Sequence, residues 1–307
     1  MKKDLLKLQD WTKEEIIEIL NLGDQLKYEQ KHGIEHKYLE GQTLAMIFNK
    51  ASTRTRISFE VGMKQLGGSA LFLSSSDLQI GRGEPIEDTA RVLSRYVDGV
   101  MIRTYDQKEV EDLAANANIP IINGLTDDFH PCQVLADLMT IREFKSKLEG
   151  LKVAYIGDSN NMTNSIMVGC LKVGMDVSVA SPKGYMPKDE ITGLAQELAN
   201  ESGCKLLITE DIQEAAQDAD VLMTDVWASM GQEEEAEERK TIFASYQIND
   251  KVMGYAKEDV IVMHCLPAHR EEEITGKVFE KYADIIFEEA ENRLHVQKAI
   301  LTTLMKK

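Results

Sequence analysis

The chain has 307 residues, 43% hydrophobic and 28% charged, with a formal net charge of −17. That length suits two domains of roughly 150 residues better than one core. A surface this acidic repels nucleic acid and anionic membranes, so neither is an expected partner. No run approaches the ~20 apolar residues of a membrane span. The opening Met1-Lys2-Lys3-Asp4-Leu5-Leu6-Lys7 has no apolar stretch of signal-peptide length, so a cytoplasmic location is expected. Cys132, Cys170, Cys204 and Cys265 are scattered without the paired spacing of a zinc site. They read as reduced thiols, with no metal.

In chain order, Thr12 with Glu15 three residues on predicts a capped helix carrying Ile16, Ile19, Leu20 and Leu26. Strands follow at Leu44–Phe48, Ala70–Leu73, Val100–Ile102 and Ile119–Ile122, with helices between, the second helix closing at Gly67-Gly68. A helix from about Cys132 to Phe144 leads into a polar break at Lys145–Gly150, where the domain boundary is expected. The alternation restarts with strands at Val153–Ile156, Val177–Ala180, Lys205–Ile208, Val221–Met223, Val260–Met263 and Ile285–Phe287. The acidic run Glu233–Glu238 reads as a solvated first turn of a helix, and Ala290–Met305 as the last helix. Alternating β and α predicts an α/β protein of two doubly wound parallel-sheet domains. Residues 1–147 with a C-terminal helix 291–307 form the first and 148–290 the second, with the active site expected in the interdomain cleft.

Ser52-Thr53-Arg54-Thr55-Arg56 sits between the first strand and its helix. Helix N-termini carry unpaired N–H groups and a positive dipole end, and phosphate suits such a place when guanidinium groups stand beside it. A lone Ser/Thr cap would need one hydroxyl, and this segment has three. Other unusual polar residues also fall at strand ends: Arg103, His130-Pro131-Cys132-Gln133, Asp225, His264-Cys265-Leu266-Pro267, and Arg293 just inside the last helix. Singly, each has a plain reading as a turn residue, a core thiol or a surface charge. Together they occupy the edge where α/β sheets build their sites. His32 and His36 have helical ligand spacing, but Gly33 intervenes and no carboxylate partner is evident.

Ser52–Arg56, His130–Gln133 and His264–Pro267, with Asp225-Val226-Trp227-Ala228-Ser229-Met230-Gly231 as a fourth motif, run the length of a chain that resembles the aspartate/ornithine carbamoyltransferase family, its ornithine branch most closely. The resemblance implies a first domain for carbamoyl phosphate, a second for the amino substrate L-ornithine, and a homotrimer or a higher assembly of trimers. It implies that Ser52, Thr53, Arg54 and Thr55 hold the phosphate. Arg103, His130 and Gln133 meet the carbamoyl group, and Arg293 with the Cys265-Leu266 backbone completes that pocket. Gln79 matches a residue that reaches the neighbouring subunit's site. Asn161, with Asn160 beside it, Asp225, Ser229 and Met230 match positions that hold ornithine. Arg56 is expected to pair with a carboxylate. Cys132 departs from the threonine of many relatives, a small change in polarity.

The implied chemistry is attack of a neutral amine on the carbonyl carbon. Arg103, His130 and Thr55 face the developing oxyanion, Arg54 and Arg293 the leaving phosphate, and Asp225 and Cys265 orient the amine and accept or relay its proton. No cofactor is needed, although a soft metal could inhibit at Cys265. A carbamoyltransferase for another amine, such as putrescine, is the alternative enzyme. A nucleotide-dependent dehydrogenase is disfavoured because Gly157-Asp158-Ser159-Asn160 lacks spaced glycines. An inactive regulatory relative is disfavoured because every expected site residue is present.

Overall fold

The computed structural model describes residues 2–74, 83–229 and 233–306. Gln79 and Met230 therefore lie outside the described residues. The chain divides into two compact units, Met1–Met139 with Glu291–Lys307, and Thr140–Ala290.

The first unit holds strands β1 (Thr43–Phe48), β2 (Ser69–Ser74), β3 (Gly99–Arg103) and β4 (Ile121–Leu125) in a parallel four-stranded sheet ordered β2-β1-β3-β4. The central strands are apolar along their length because helices cover both faces. Ala45, Ile47, Val100 and Ile102 pack with Val110 and Leu113 of the helix Gln107–Asn116. The edge strand β2 differs: Leu71 and Phe72 are 48% and 38% exposed.

The second unit holds β5 (Lys152–Ile156), β6 (Asp176–Ala180), β7 (Leu206–Thr209), β8 (Val221–Thr224) and β9 (Ile261–His264), again all parallel, ordered β7-β6-β5-β8-β9. Its core joins Ala154, Ile156, Leu222 and Val262 to Trp227, Phe243, Phe279 and Ile286. Strand order reverses between β1 and β3 in one sheet and between β5 and β8 in the other. Such switch points open a crevice at the strand carboxyl ends.

Both units are parallel-sheet α/β domains, as the alternation predicts. One expected strand is wrong. Ile285–Phe287 lies inside a continuous helix, Ala283–Met305. A three-residue apolar run cannot distinguish strand from helix, and here Ile286 enters the core while Phe287 stays 56% exposed. Smaller shifts matter for the site: β4 runs on to Leu125, the following helix starts at Pro131, and β9 ends on His264 itself.

The last helix also buries a lysine. Lys298 Nζ donates to Leu26 O (3.4 Å) and to His36 Nε2 (3.2 Å), while His36 Nδ1 meets Ile34 O at 2.8 Å. Since a carbonyl only accepts, Nδ1 carries the ring proton and Nε2 is the acceptor. Burial lowers the Lys298 pKa to about 8, against the pull of Glu29. Between pH 8 and about 10.4 the unfolded chain holds a proton that the native state has shed, so stability rises with pH across that window. Urea unfolding at pH 8 to 10 should show a gain of up to about 3 kcal/mol from this group, absent in Lys298→Met. Equal slopes in the two proteins would refute it.

Candidate active site

In the first unit, Ser52 caps the helix Thr53–Gln65, its Oγ accepting from Thr55 N at 3.3 Å and donating to Thr55 Oγ1 at 3.1 Å. Thr55 is fully buried, and its hydroxyl accepts from Arg293 Nη2 at 2.8 Å. So one of the three hydroxyls works as the cap, and a guanidinium from the last helix reaches another. Thr53 is exposed and Arg54 half-buried at the same helix start. Arg56 turns away: its Nε donates to Glu60 at 3.0 Å and its guanidinium stacks over Phe72.

Arg103 ends β3, and His130 precedes the helix Pro131–Lys145; both are buried. Burial, then the charges of Arg293, Arg103 and Arg54, hold the His130 pKa well below the ordinary value. Its imidazole is neutral near pH 7 and can donate a hydrogen bond to a carbonyl without carrying charge. The same three arginines put positive charge close enough to act on His130, and such a concentration of charge favours an anion. Gln133 is fixed by donating Nε2 to Asp137 Oδ1 at 2.8 Å. Cys132 packs beneath, donating to Asn123 O at 3.3 Å, with burial pushing its thiol to about 12. That proton does not leave near neutrality.

In the second unit Asp225, just past β8, is the hub. Its Oδ1 accepts from Cys265 Sγ (3.2 Å) and Val226 N (2.8 Å), and its Oδ2 accepts from Asn160 Nδ2 (3.0 Å). Asn160 also caps the helix Asn161–Lys172, accepting from Met162 N and Thr163 N. The neighbour of the expected Asn161 thus meets Asp225, while Asn161 is buried in the first turn of that helix. Ser229 is half-buried beyond Trp227.

Two residues escaped the sequence reading. Asp158, after β5, pairs with Arg239 at 2.9 Å, and the same Arg239 Nη1 donates to Trp227 O at 2.9 Å. Burial raises the Asp158 pKa against the pull of Arg239. No local pattern links positions 158 and 239, so only the fold reveals the pair. Arg239→Met should destabilise the protein by about 3 kcal/mol, because it strands a buried carboxylate. Asp158→Asn with Arg239→Met should lose less than the sum of the two changes, read by denaturant unfolding. Strict additivity would show that the two do not act as a pair.

Asp225, His264 and Cys265 offer ligand atoms within 4.8 Å of one another. However, His264 Nδ1 already accepts from Leu266 N (2.9 Å) and Nε2 meets Glu273 (3.0 Å). A metal could take the thiol and carboxylate, and the imidazole only by breaking one of these bonds.

A cluster of arginines about His130 in the first unit and a carboxylate–amide–thiol group in the second are chemistry that suits group transfer from an anionic donor. Residues 3–143 match the family described as "Aspartate/ornithine carbamoyltransferase, carbamoyl-P binding domain", and residues 149–304 its "Asp/Orn binding domain". The chain is 59% identical to an ornithine carbamoyltransferase of Anoxybacillus flavithermus, over 99% of this chain and 96% of the relative. With that of Bacillus subtilis it shares 55%, over 99% and 94%. It superposes on the ornithine carbamoyltransferase of Pyrococcus furiosus with TM-score 0.96 at 55% identity, covering 99% and 97%. The enzyme from Giardia lamblia, at 31% identity, gives 0.89 over 99% and 98%. The chain belongs to the aspartate/ornithine carbamoyltransferase family.

Proposed function

We propose that this protein transfers the carbamoyl group of carbamoyl phosphate to the δ-amine of L-ornithine, giving L-citrulline and phosphate reversibly, a step of arginine metabolism. The observation that carries this reading is the 55–59% identity, over 99% of the chain, to relatives named for that activity. Ser52, Thr53, Arg54, Thr55 and Arg293 take the phosphate. Arg103, His130 and Gln133, with the Cys265-Leu266 backbone, take the carbamoyl group. Asn161, Asp225, Ser229 and Met230 take ornithine. The reaction requires the carbonyl carbon and the amine to meet within attack distance.

The amine must be neutral to attack. With a lysine-like pKa of about 10.4, roughly one molecule in a thousand or fewer is neutral at pH 7. Desolvation favours that form, and Asp225 with Cys265 orients it and accepts or relays the proton that its nitrogen sheds as the C–N bond forms and phosphate leaves. Neutral His130 and the cation Arg103 stabilise the oxyanion, and arginines stabilise the departing phosphate.

A homotrimer, with Gln79 reaching the neighbouring site, is part of the reading. In its support, β2 is an edge strand with exposed Leu71 and Phe72, a surface that a second copy would cover. The cytoplasm is the proposed compartment, since all four cysteines are free thiols. The deciding assay supplies carbamoyl phosphate with paired ornithine and putrescine. Citrulline is the expected product, and preference for putrescine would overturn the assignment.

A further inference from the structure

We infer that Glu273 is a positioning residue for this reaction, acting through His264 on the Cys265-Leu266 backbone; the inference rests on the proposed activity. Glu273 is fully buried just beyond β9, where no catalytic carboxylate is called for. Its Oε1 accepts from the His264 ring (Nε2, 3.0 Å) and from the His269 backbone N–H (2.6 Å). One oxygen thus pins both ends of the segment 264–269.

The ring transmits this constraint. Leu266 N donates to His264 Nδ1 at 2.9 Å, so Nδ1 bears no proton and the neutral ring carries it on Nε2, aimed at Glu273. A carboxylate there selects the tautomer that can receive the Leu266 N–H. Leu266 needs that restraint, because its φ of 60° is one that side-chain-bearing residues seldom adopt. Glu289 Oε2 secures the strand side by accepting from His264 N at 2.9 Å. Held in this way, Cys265 donates its thiol to Asp225 and the Leu266 carbonyl keeps one direction. Glu273 touches no substrate; its effect is the aim of its neighbours.

Wild-type citrulline formation is measured first, and its absence would refute the proposed activity rather than this inference. With an active wild type, Glu273→Ala and His264→Ala should each lower kcat about 10²-fold, the cost of a small misplacement of reacting groups, with the KM for L-ornithine changed less than threefold. The double variant should be no worse than the poorer single, since both act on Leu266. Glu273→Gln keeps an acceptor oxygen and should recover activity to within about fivefold of wild type. If an alanine variant does not fold, His264→Asn decides. Its side-chain oxygen can still receive the Leu266 N–H, but the shorter side chain loses the bond to Glu273, so its loss should also approach 10²-fold. Wild-type kcat in Glu273→Ala, multiplying losses in the double variant, or Glu273→Gln as impaired as Glu273→Ala would each overturn the inference, and so would a loss under tenfold in His264→Asn.

Discussion

Replacing Arg293 by glutamine should lower kcat/KM for carbamoyl phosphate about 10³-fold, or about 4 kcal/mol of transition-state stabilisation. Glutamine can still donate to Thr55 Oγ1, so the helix contact need not fail. What is lost is a cation that is 4% exposed, in a place where charge is poorly screened. A second readout tests the same residue. Arg293 is the strongest of the charges that depress the His130 pKa, after burial itself. Without it the imidazole should take a proton at higher pH, so the acid limb of the kcat/KM profile moves upward. Arg293→Lys should restore part of the rate but not bidentate recognition. A loss under tenfold with an unmoved acid limb would remove Arg293 from the cradle.

Asp225→Asn should lower kcat about 10³-fold and raise the KM for ornithine about tenfold, leaving the KM for carbamoyl phosphate within threefold. The change is nearly isosteric but cannot be accommodated by hydrogen bonding. Oδ1 of the new amide could still accept from Cys265 and Val226 N. Its NH₂ would then face the Asn160 NH₂ across the 3.0 Å now spanned by a hydrogen bond. Turning Asn160 round would withdraw the oxygen that caps Met162 N and Thr163 N. Either the cap or the hub must break. Initial rates with each substrate varied decide it, and an ornithine KM unchanged in Asp225→Asn would refute the assignment.

The sequence carried the fold wherever a run of four or more apolar residues met a clear break, as at β1 and β5. It misread Ile285–Phe287, where three apolar residues in a row fit either period and packing of Ile286 decided. The site was legible where strand ends deliver residues to the carboxyl edge of a sheet: Arg103 and His130 in the first unit, Asp225 and Cys265 in the second. Asn160 was half visible, since an asparagine before an apolar helix signals a cap but not a bond to Asp225. Arg239 and Glu273 were invisible. A buried ion pair across 81 positions and a carboxylate that works through a histidine ring leave no local pattern, because folding alone brings those atoms together.

The discontinuity of the first unit has a consequence for synthesis. Residues 140–290 form a complete unit, so a ribosome moving from residue 1 finishes the second sheet before the first unit has all its parts. The bond from Arg293 to Thr55 closes a separation of 238 residues. The nascent chain must therefore hold β1 to β4 in waiting, without their last helix, while the whole second unit is made. The Arg293–Thr55 bond cannot form until residue 293 has been made, and a chain truncated near residue 290 would carry Asp225 and Cys265 with no arginine at Thr55.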